Sequence, residues 1–435
     1  MSLFGAMNTS ISGLNAQSAA FGNISDNVAN SQTVGYKEIN TSFIDYLTVS
    51  NATQNVSGSV DAKPDYLNNV QGTLAQSQDP LAMAITGQGF FPVSNATSTS
   101  GNVTTFSTTQ AYTRAGDFQM NAQGFLVNSA GQYLNGWPVN STTGVVDRNA
   151  MAPIQVTQTV YNPVATSSIS LSANLPATPS TGTPVSSQVT VYDGLGTAHT
   201  VTLNWTQNAT NDWTVSINVP DDTTSAARGT ADVQFGTTSG NPVSDGTVGA
   251  LGTPTGSVTT TSFAANSPAT INFTANFGQG PQAIALNLGN FGASTGLTQY
   301  AGTTYALHGI SQDGVPPGNF SSITTASSGD ISVNYDNGQS RTIARVPLVT
   351  FASPDSLQRQ NGQEFTATLA SGNPITQDAG TNGAGSLVIG SVEGSNVDIA
   401  QEFSKLIVAQ QAYSANTKLV TTADQLMTET INMKQ

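Results

Sequence analysis

Two runs of apolar residues spaced seven apart, one at each end of the chain, restrict what it can fold into more than any other feature. From Phe4 to Val28 the positions Met7, Leu14, Phe21 and Val28 recur at that interval, with Phe4 and Ile11 in the complementary position and Ile24 close to it. A period of seven keeps one stripe facing a partner helix, so this is a coiled-coil seam more than the face of a globular helix. The outer positions carry Asn, Ser, Thr, Gln and Ala where Glu and Lys would be usual. Such a polar, uncharged face can be buried against further copies without stranding charges. Gly13 and Gly22 each cost about 1 kcal/mol of helix propensity, so the segment alone is marginal. The C-terminal run repeats the design with Ile399, Leu406, Tyr413, Val420 and Met427, and with Phe403, Ile407, Ala409, Ala423 and Ile431 beside them. Ser395 or Asn396 is the expected N-cap, and Asp398 and Glu402 suit the positive end of the helix dipole. At about 1.5 Å per residue, a helix from Val397 to Met433 spans about 50 Å. The two seams can pair with each other. Periodicity alone leaves equally open that each helix packs on the chain's own β-structure.

Between the ends the period changes to two. In "VTVYDGLGTAHTVTLNW", Val189 and Val191, then Val201, Leu203 and Trp205, alternate around the turn-forming Asp193-Gly194-Leu195-Gly196. That is the mark of half-buried strands joined by a hairpin. Trp213, Val215, Ile217 and Val219 continue the alternation, and Trp205 and Trp213 are expected in the hairpin core. Further hairpins are legible at 118–134 and 331–351, the second with Asp336-Asn337-Gly338 as a tight-turn signal. From about 223 to 330 the pattern weakens into loop-heavy β-structure, with Phe235, Ile271, Phe273, Phe277, Ile284, Leu286 and Leu288 as core candidates. The expected fold is α+β, mostly β, with discontinuous β-rich domains and N- and C-terminal α-helices forming a coiled-coil-like tube domain.

Composition excludes several function classes. The chain has 435 residues, too many for one ordinary core. Only 8% are charged, and 25 acidic against 11 basic residues give a net charge of −14. Phosphate backbones would be repelled, so a nucleic-acid partner is not expected. Cysteine is absent, which rules out disulfides and thiolate metal sites. No stretch approaches the 18 or so apolar residues of a membrane span, so no membrane insertion is expected. "MSLFGAMNTSISGLNAQ" has neither the basic start nor the apolar run of a cleavable leader. His199 and His308, the two histidines, stand far apart with no metal-ligand spacing or nucleophile elbow near them. Asp221-Asp222, after Pro220, reads as an exposed turn before it reads as a cation site. No catalytic residue, metal site or cofactor is expected, and the chain is read as a non-enzyme.

One motif marks the exit from the first helix. In "NVANSQTVGYK", Ala29, Asn30, Thr33, Gly35, Tyr36 and Lys37 match the Ala-Asn-x-x-Thr-x-Gly-Tyr/Phe-Lys pattern, and Lys37 is the first basic residue of the chain. Asn30 is expected to end the helix in a left-handed conformation, and Gly35 to supply a positive φ that turns the chain outward. With this motif the chain resembles the bacterial flagellar axial proteins, the rod and hook family. "GQGFFPV" (87–93), "YTRAGDFQMNAQGFLVNSAGQYLNGWP" (112–138) and the segment 393–434 are similar to that family as well, and "VTVYDGLGTAHTVTLNW" resembles its hook subunits in particular. An inserted β-rich block also favours the hook over the shorter rod subunits.

The resemblance implies a self-assembling structural subunit of a bendable hook. A distal rod or hook-associated subunit is the second reading and a secreted β-rich adhesin the third. The implied partners are many identical copies, the distal rod, hook cap and hook–filament junction proteins, and the type III export apparatus. The implied place is the extracellular hook, reached without a cleaved leader. The expected domains are a helical polymerisation domain (1–30 and 396–435), connectors (31–70 and 355–395), a first β-domain (71–145 and 290–354) and an inserted outer β-domain (146–289).

Overall fold

The computed structural model describes residues 3–50, 55–100, 103–140, 143–178 and 184–433. Strands dominate, and a long helix stands at each end: α1 (Leu3–Ala29) and α2 (Ile399–Asn432). The chain divides into two compact units, the first comprising Met1–Gln158, Ser321–Asn334 and Ser340–Gln435, the second Thr159–Phe320 and Tyr335–Gln339.

In the first unit, the exit from α1 leads into a long antiparallel hairpin, β1 (Ile39–Ser50) and β2 (Asn55–Tyr66), registered from Ile39 opposite Tyr66 to Ser50 opposite Asn55. The span 31–70, read as an extended connector, is thus largely a paired ribbon. Its Ser, Thr and Asn content hides the alternation that normally reveals strands. A larger sheet follows in the order Phe320–Thr325, Asp330–Tyr335, Ser340–Arg345, Tyr133–Pro138, Phe91–Ser94, Ala111–Thr113, Glu364–Thr366 and Gln358–Arg359. Phe90, Tyr112, Val349, Phe351, Leu357 and Phe365 form one of its cores, with Phe90 edge-on to both Phe351 and Phe365. The span 355–395, also read as a connector, supplies strands to several pairings. Ser386–Ile389 pairs with Met83–Thr86, and Ser391–Glu393 with Leu74–Gln76.

The second unit holds two sheets. One is an antiparallel meander of Val185–Tyr192, Ala198–Ala209, Asp212–Asn218, Ala227–Phe235 and Val248–Gly252. Val189 lies opposite Val201 and Leu203 opposite Ile217, so the alternating apolar residues share one face. The other runs Thr259–Thr260, Pro268–Asn276, Pro281–Asn290, Ser168–Asn174 and Leu297–Thr298, and Ala306–Gln312 also pairs with Ser168–Asn174. Both sheets bury alternate residues in a single core that includes Trp205, Trp213, Phe235, Ile271, Phe273, Ile284, Leu286 and Leu288. Phe277 packs on it half-buried.

Residues 297–312 therefore belong to this second core, although the sequence reading grouped 290–354 with the first β-domain. Their partner strand, 168–174, lies more than a hundred residues upstream, and local pattern carries no trace of such a pairing.

Candidate polymerisation surface

The helix exit is built around a buried knot of charge. Lys37 and Glu393 are wholly buried and Arg114 is 1% exposed. Lys37 Nζ lies 2.5 Å from Glu393 Oε1, and Arg114 Nη1 lies 3.1 Å from Glu393 Oε2. Lys37 Nζ also donates to Val70 O at 2.6 Å, Gly72 N donates to Glu393 Oε1 at 2.8 Å, and Arg114 Nη2 donates to Gly87 O at 2.8 Å. One carboxylate thus serves two cations. Burial pushes the Lys37 ammonium down to about 8, against the pull of Glu393, and Arg114 adds to the lowering.

Gly35 makes this approach possible. It sits at φ +71°, and a Cβ there would collide with the backbone of Ala115. Asn30 does not take the left-handed conformation expected of it. Its side-chain Nδ2 caps the helix instead, donating to Asp26 O at 2.9 Å, while its Oδ1 accepts from Thr33 Oγ1 at 3.1 Å. Tyr36 is buried, with its hydroxyl 3.2 Å from Asn27 Oδ1. Ala29, the last residue of α1, is exposed.

Asn27 is a second node, which the motif did not include. Its Oδ1 accepts from Ile39 N at 3.0 Å, and its Nδ2 donates to Ile39 O and to Glu402 Oε2, each at 2.9 Å. Lys405 Nζ then lies 2.6 Å from both Glu402 Oε1 and Glu38 Oε1. Burial works against the Lys405 charge, but its bonds to Glu38 and Glu402 outweigh it and hold its pKa above the usual value. The N-cap of α2 is Asp398, which accepts from Ala400 N and Gln401 N. Asn396 is engaged elsewhere, accepting from Glu38 N and donating to Leu67 O. Ser395 Oγ accepts from Val397 N, outside the helix.

The two helices pack antiparallel. Asn27 meets Glu402, Phe21 meets Tyr413 edge-on at 6.3 Å, and Gly13 approaches Asn416 so closely that a Cβ would come within 3.0 Å of it. The buried positions are Ser10, Ala16, Ala20, Ile24 and Asn27 on α1, and Glu402, Ala409 and Ala423 on α2. Within the chain, then, the helices meet through small and polar residues. Of the apolar seam read from sequence, Ile24 is buried, while Met7, Leu14, Phe21, Val28, Leu406, Val420 and Met427 are half-buried. Phe4, Ile11, Ile399, Phe403, Tyr413 and Ile431 are exposed, Phe4 at 64% and Ile431 at 60%.

The heptad on α2 therefore has two stripes. The stripe at 402, 409, 416 and 423 faces α1; beside it Leu406, Val420 and Met427 are half-buried and Tyr413 touches Phe21, while Ile399, Phe403, Ile407 and Ile431 are exposed. Small residues carry little weight in a hydrophobic pattern, which is why the contacting stripe was not read as the seam. A groove of about 490 Å³ opens where Ala20, Ile24, Phe43, Val408, Ala409 and Ala412 converge.

The other residues weighed from sequence lie in the second unit or carry no chemistry. His199 stacks on Phe277 at 3.8 Å between Asp193 and Asp221. Asp222 is bound into its turn. Burial opposes its charge, but bonds from Thr224, Asn276 N and Ser225 N hold the carboxyl at about 2. Among the described residues no cluster of three His, Cys, Asp or Glu could hold a metal ion, and no helix is long and apolar enough to cross a membrane.

The two terminal helices, tied together at the exit of α1, both fall in segments that match axial proteins of the bacterial flagellum. Residues 7–37 match the family described as flagella basal body rod protein, and 389–433 the flagellar basal body rod FlgEFG protein C-terminal family. Residues 84–227 match the flagellar hook protein FlgE/F/G D1 domain and 156–315 the flagellar basal body protein FlaE D2 domain. The flagellar hook protein FlgE of Brucella abortus is 30% identical over 440 residues, covering 100% of both chains. That of Salmonella typhimurium is 28% identical, covering 98% of each. A solved Helicobacter pylori flagellar hook protein, FlgE2, aligns at 14% identity with a TM-score of 0.47 over 72% of this chain and 98% of that one, too loose a likeness to build on. The chain belongs to the flagellar hook protein FlgE family, a structural family whose place is the hook of the flagellum.

Proposed function

We propose that this hook subunit assembles through its terminal helices into a curved, bendable tube that passes motor torque to the filament, and that it catalyses no reaction. The observation that carries this reading is the apolar stripe left outside the α1–α2 contact: Phe4, Ile11, Phe403, Ile407, Val408 and Ile431 are all exposed. An apolar surface of that extent beside a small-residue seam is costly in a lone subunit and is removed from water by neighbouring copies. A contact that does not close on itself propagates as a helical polymer. Export through the type III apparatus without a cleaved leader, and end contacts with the distal rod, the hook cap and the hook–filament junction proteins, complete the reading. The terminal helices, with the seam residues set out from sequence, are taken as the working parts of that assembly. Phe403→Asp with Ile407→Asp tests it. Both sites are exposed, so the subunit should keep its melting temperature, whereas polymer visible by sedimentation and electron microscopy should disappear. A doubly substituted chain that still built normal tubes would overturn the helical-seam assembly.

A further inference from the structure

Most of the chain's few cations are matched to a carboxylate: Lys37 and Arg114 to Glu393, Arg148 to Asp378, Arg345 to Asp330 and Asp378, Arg228 to Asp222, and Lys405 to Glu38 and Glu402. Arg359, like Arg341, is a half-buried exception among the described residues. Its Nη1 donates to Lys37 O at 2.7 Å, and its guanidinium carbon lies 4.8 Å from the centre of the Tyr36 ring and 5.9 Å from that of Tyr66. The aromatic faces and one carbonyl hold the group in place, and among the described residues no carboxylate lies within ion-pair distance of it, Asp26 acting on its charge from farther off. It lines an open cleft of about 400 Å³ with Tyr66, Ser356, Gln358 and Thr368. The acid on the same rim, Asp355, accepts from Asn69 N at 3.0 Å through one carboxylate oxygen and makes no ion pair with Arg359.

A planar guanidinium fixed by stacking, with a cleft in front of it, is built for a carboxylate. Arg359 also sits beside the buried Lys37–Glu393–Arg114 knot, donating to Lys37 O without a share in Glu393. In a chain of net charge −14, acid is what a neighbouring copy presents most freely. We propose that the Arg359 cleft receives an Asp or Glu side chain from a second copy of this chain, forming an ion pair between subunits of the polymer. This rests on the polymeric reading above and adds a specific contact to it, one made by the first unit's β-structure and not by the terminal helices. Such a contact also offsets the repulsion that a −14 subunit meets when stacked on its own kind.

The experiment compares three proteins, wild type, Arg359→Gln and Gln358→Glu, by monomer melting and by the critical concentration for polymerisation at low and high salt. Gln358 is exposed on the cleft rim, so Gln358→Glu supplies the carboxylate within the subunit and repels one from outside while leaving the fold intact. Both variants should raise the critical concentration about tenfold at low salt, with the difference shrinking at high salt. A photoreactive residue at position 358 should cross-link, in assembled polymer, to a neighbour's peptide that contains Asp or Glu. If Gln358→Glu assembles like wild type, or the cross-link maps to a peptide without an acid or fails to form in intact polymer, the cleft proposal falls and the polymeric reading stands. If the wild-type chain forms no polymer at all, both fall.

Discussion

The terminal helices and the second unit solve burial in opposite ways. In the second unit, two sheets turn their alternate residues into one core, so that Trp205, Trp213, Phe235 and Phe273 are all buried within the chain. In α1 and α2 the buried apolar residues are mostly small, Ala16, Ala20, Ala409 and Ala423, while Phe4, Phe403 and Ile407 lie exposed. One region is complete as a monomer and the other is not. A subunit that must assemble needs both, since a finished body can be carried by helices whose apolar surface is kept for neighbours.

The contrast breaks first if the second unit depends less on its own core than its burial implies. Trp213→Ala removes a buried indole from the centre of that core and should cost about 3–5 kcal/mol by denaturant unfolding. The loss should appear in the transition of the second unit and leave helical content unchanged. A cost below about 1 kcal/mol would mean that the sheets repack easily and that this unit is no more complete than the helices.

A second test lies at the knot. Glu393→Gln leaves Lys37 and Arg114 buried without a counter-charge, and breaking a buried pair in this way typically costs about 3–5 kcal/mol. We expect the lower end, because Val70 O and Gly87 O still accept from the two cations. Hydrogen exchange should show the loss spreading into the exit of α1 and the strand Leu74–Gln76 that pairs with Ser391–Glu393. If only the second unit became less protected, the knot would not be what ties the two ends of the chain together.

Much of this was legible in the sequence wherever a repeating apolar pattern carried it. The helices at both ends and the strands from Val185 to Val219 follow directly from periods of seven and two. The hairpin 39–66 was missed because Ser, Thr and Asn occupy its outer positions and blur the alternation. The face on which α1 and α2 meet was read only in part: Ala409 and Ala423 were placed beside the seam, whereas Gly13, Ala16, Ala20 and Asn416 add almost nothing to a hydrophobic count. Lys37 was picked out by its motif, but its partners Glu393 and Arg114 lie hundreds of residues from it or from each other. No local signal links a lysine at 37 to a glutamate at 393. Asn27 and Glu402 were invisible as a pair for the same reason, although their positions on facing stripes of two heptads could have suggested it.

The smallest expected effect isolates the surplus cation of the knot. Lys37 titrates at about 8 in the folded chain, below the roughly 10.4 of an exposed lysine. Between these values the unfolded chain binds more protons than the folded one, so this group makes stability rise as pH climbs from about 8 to about 10.4. Below pH 8 both states carry the proton and its contribution is flat at its least favourable. Lys37→Met removes the titration and leaves Arg114 and Glu393 as a balanced pair, at the cost of the bond to Val70 O. Unfolding of wild type and variant should therefore be compared at pH 7 and pH 9.5. Wild type should gain relative to the variant as pH rises, while tyrosine ionisation, common to both, cancels. A difference that stays constant across that range would mean the ammonium is not held in a depressed state, and that the knot tolerates its second cation without strain.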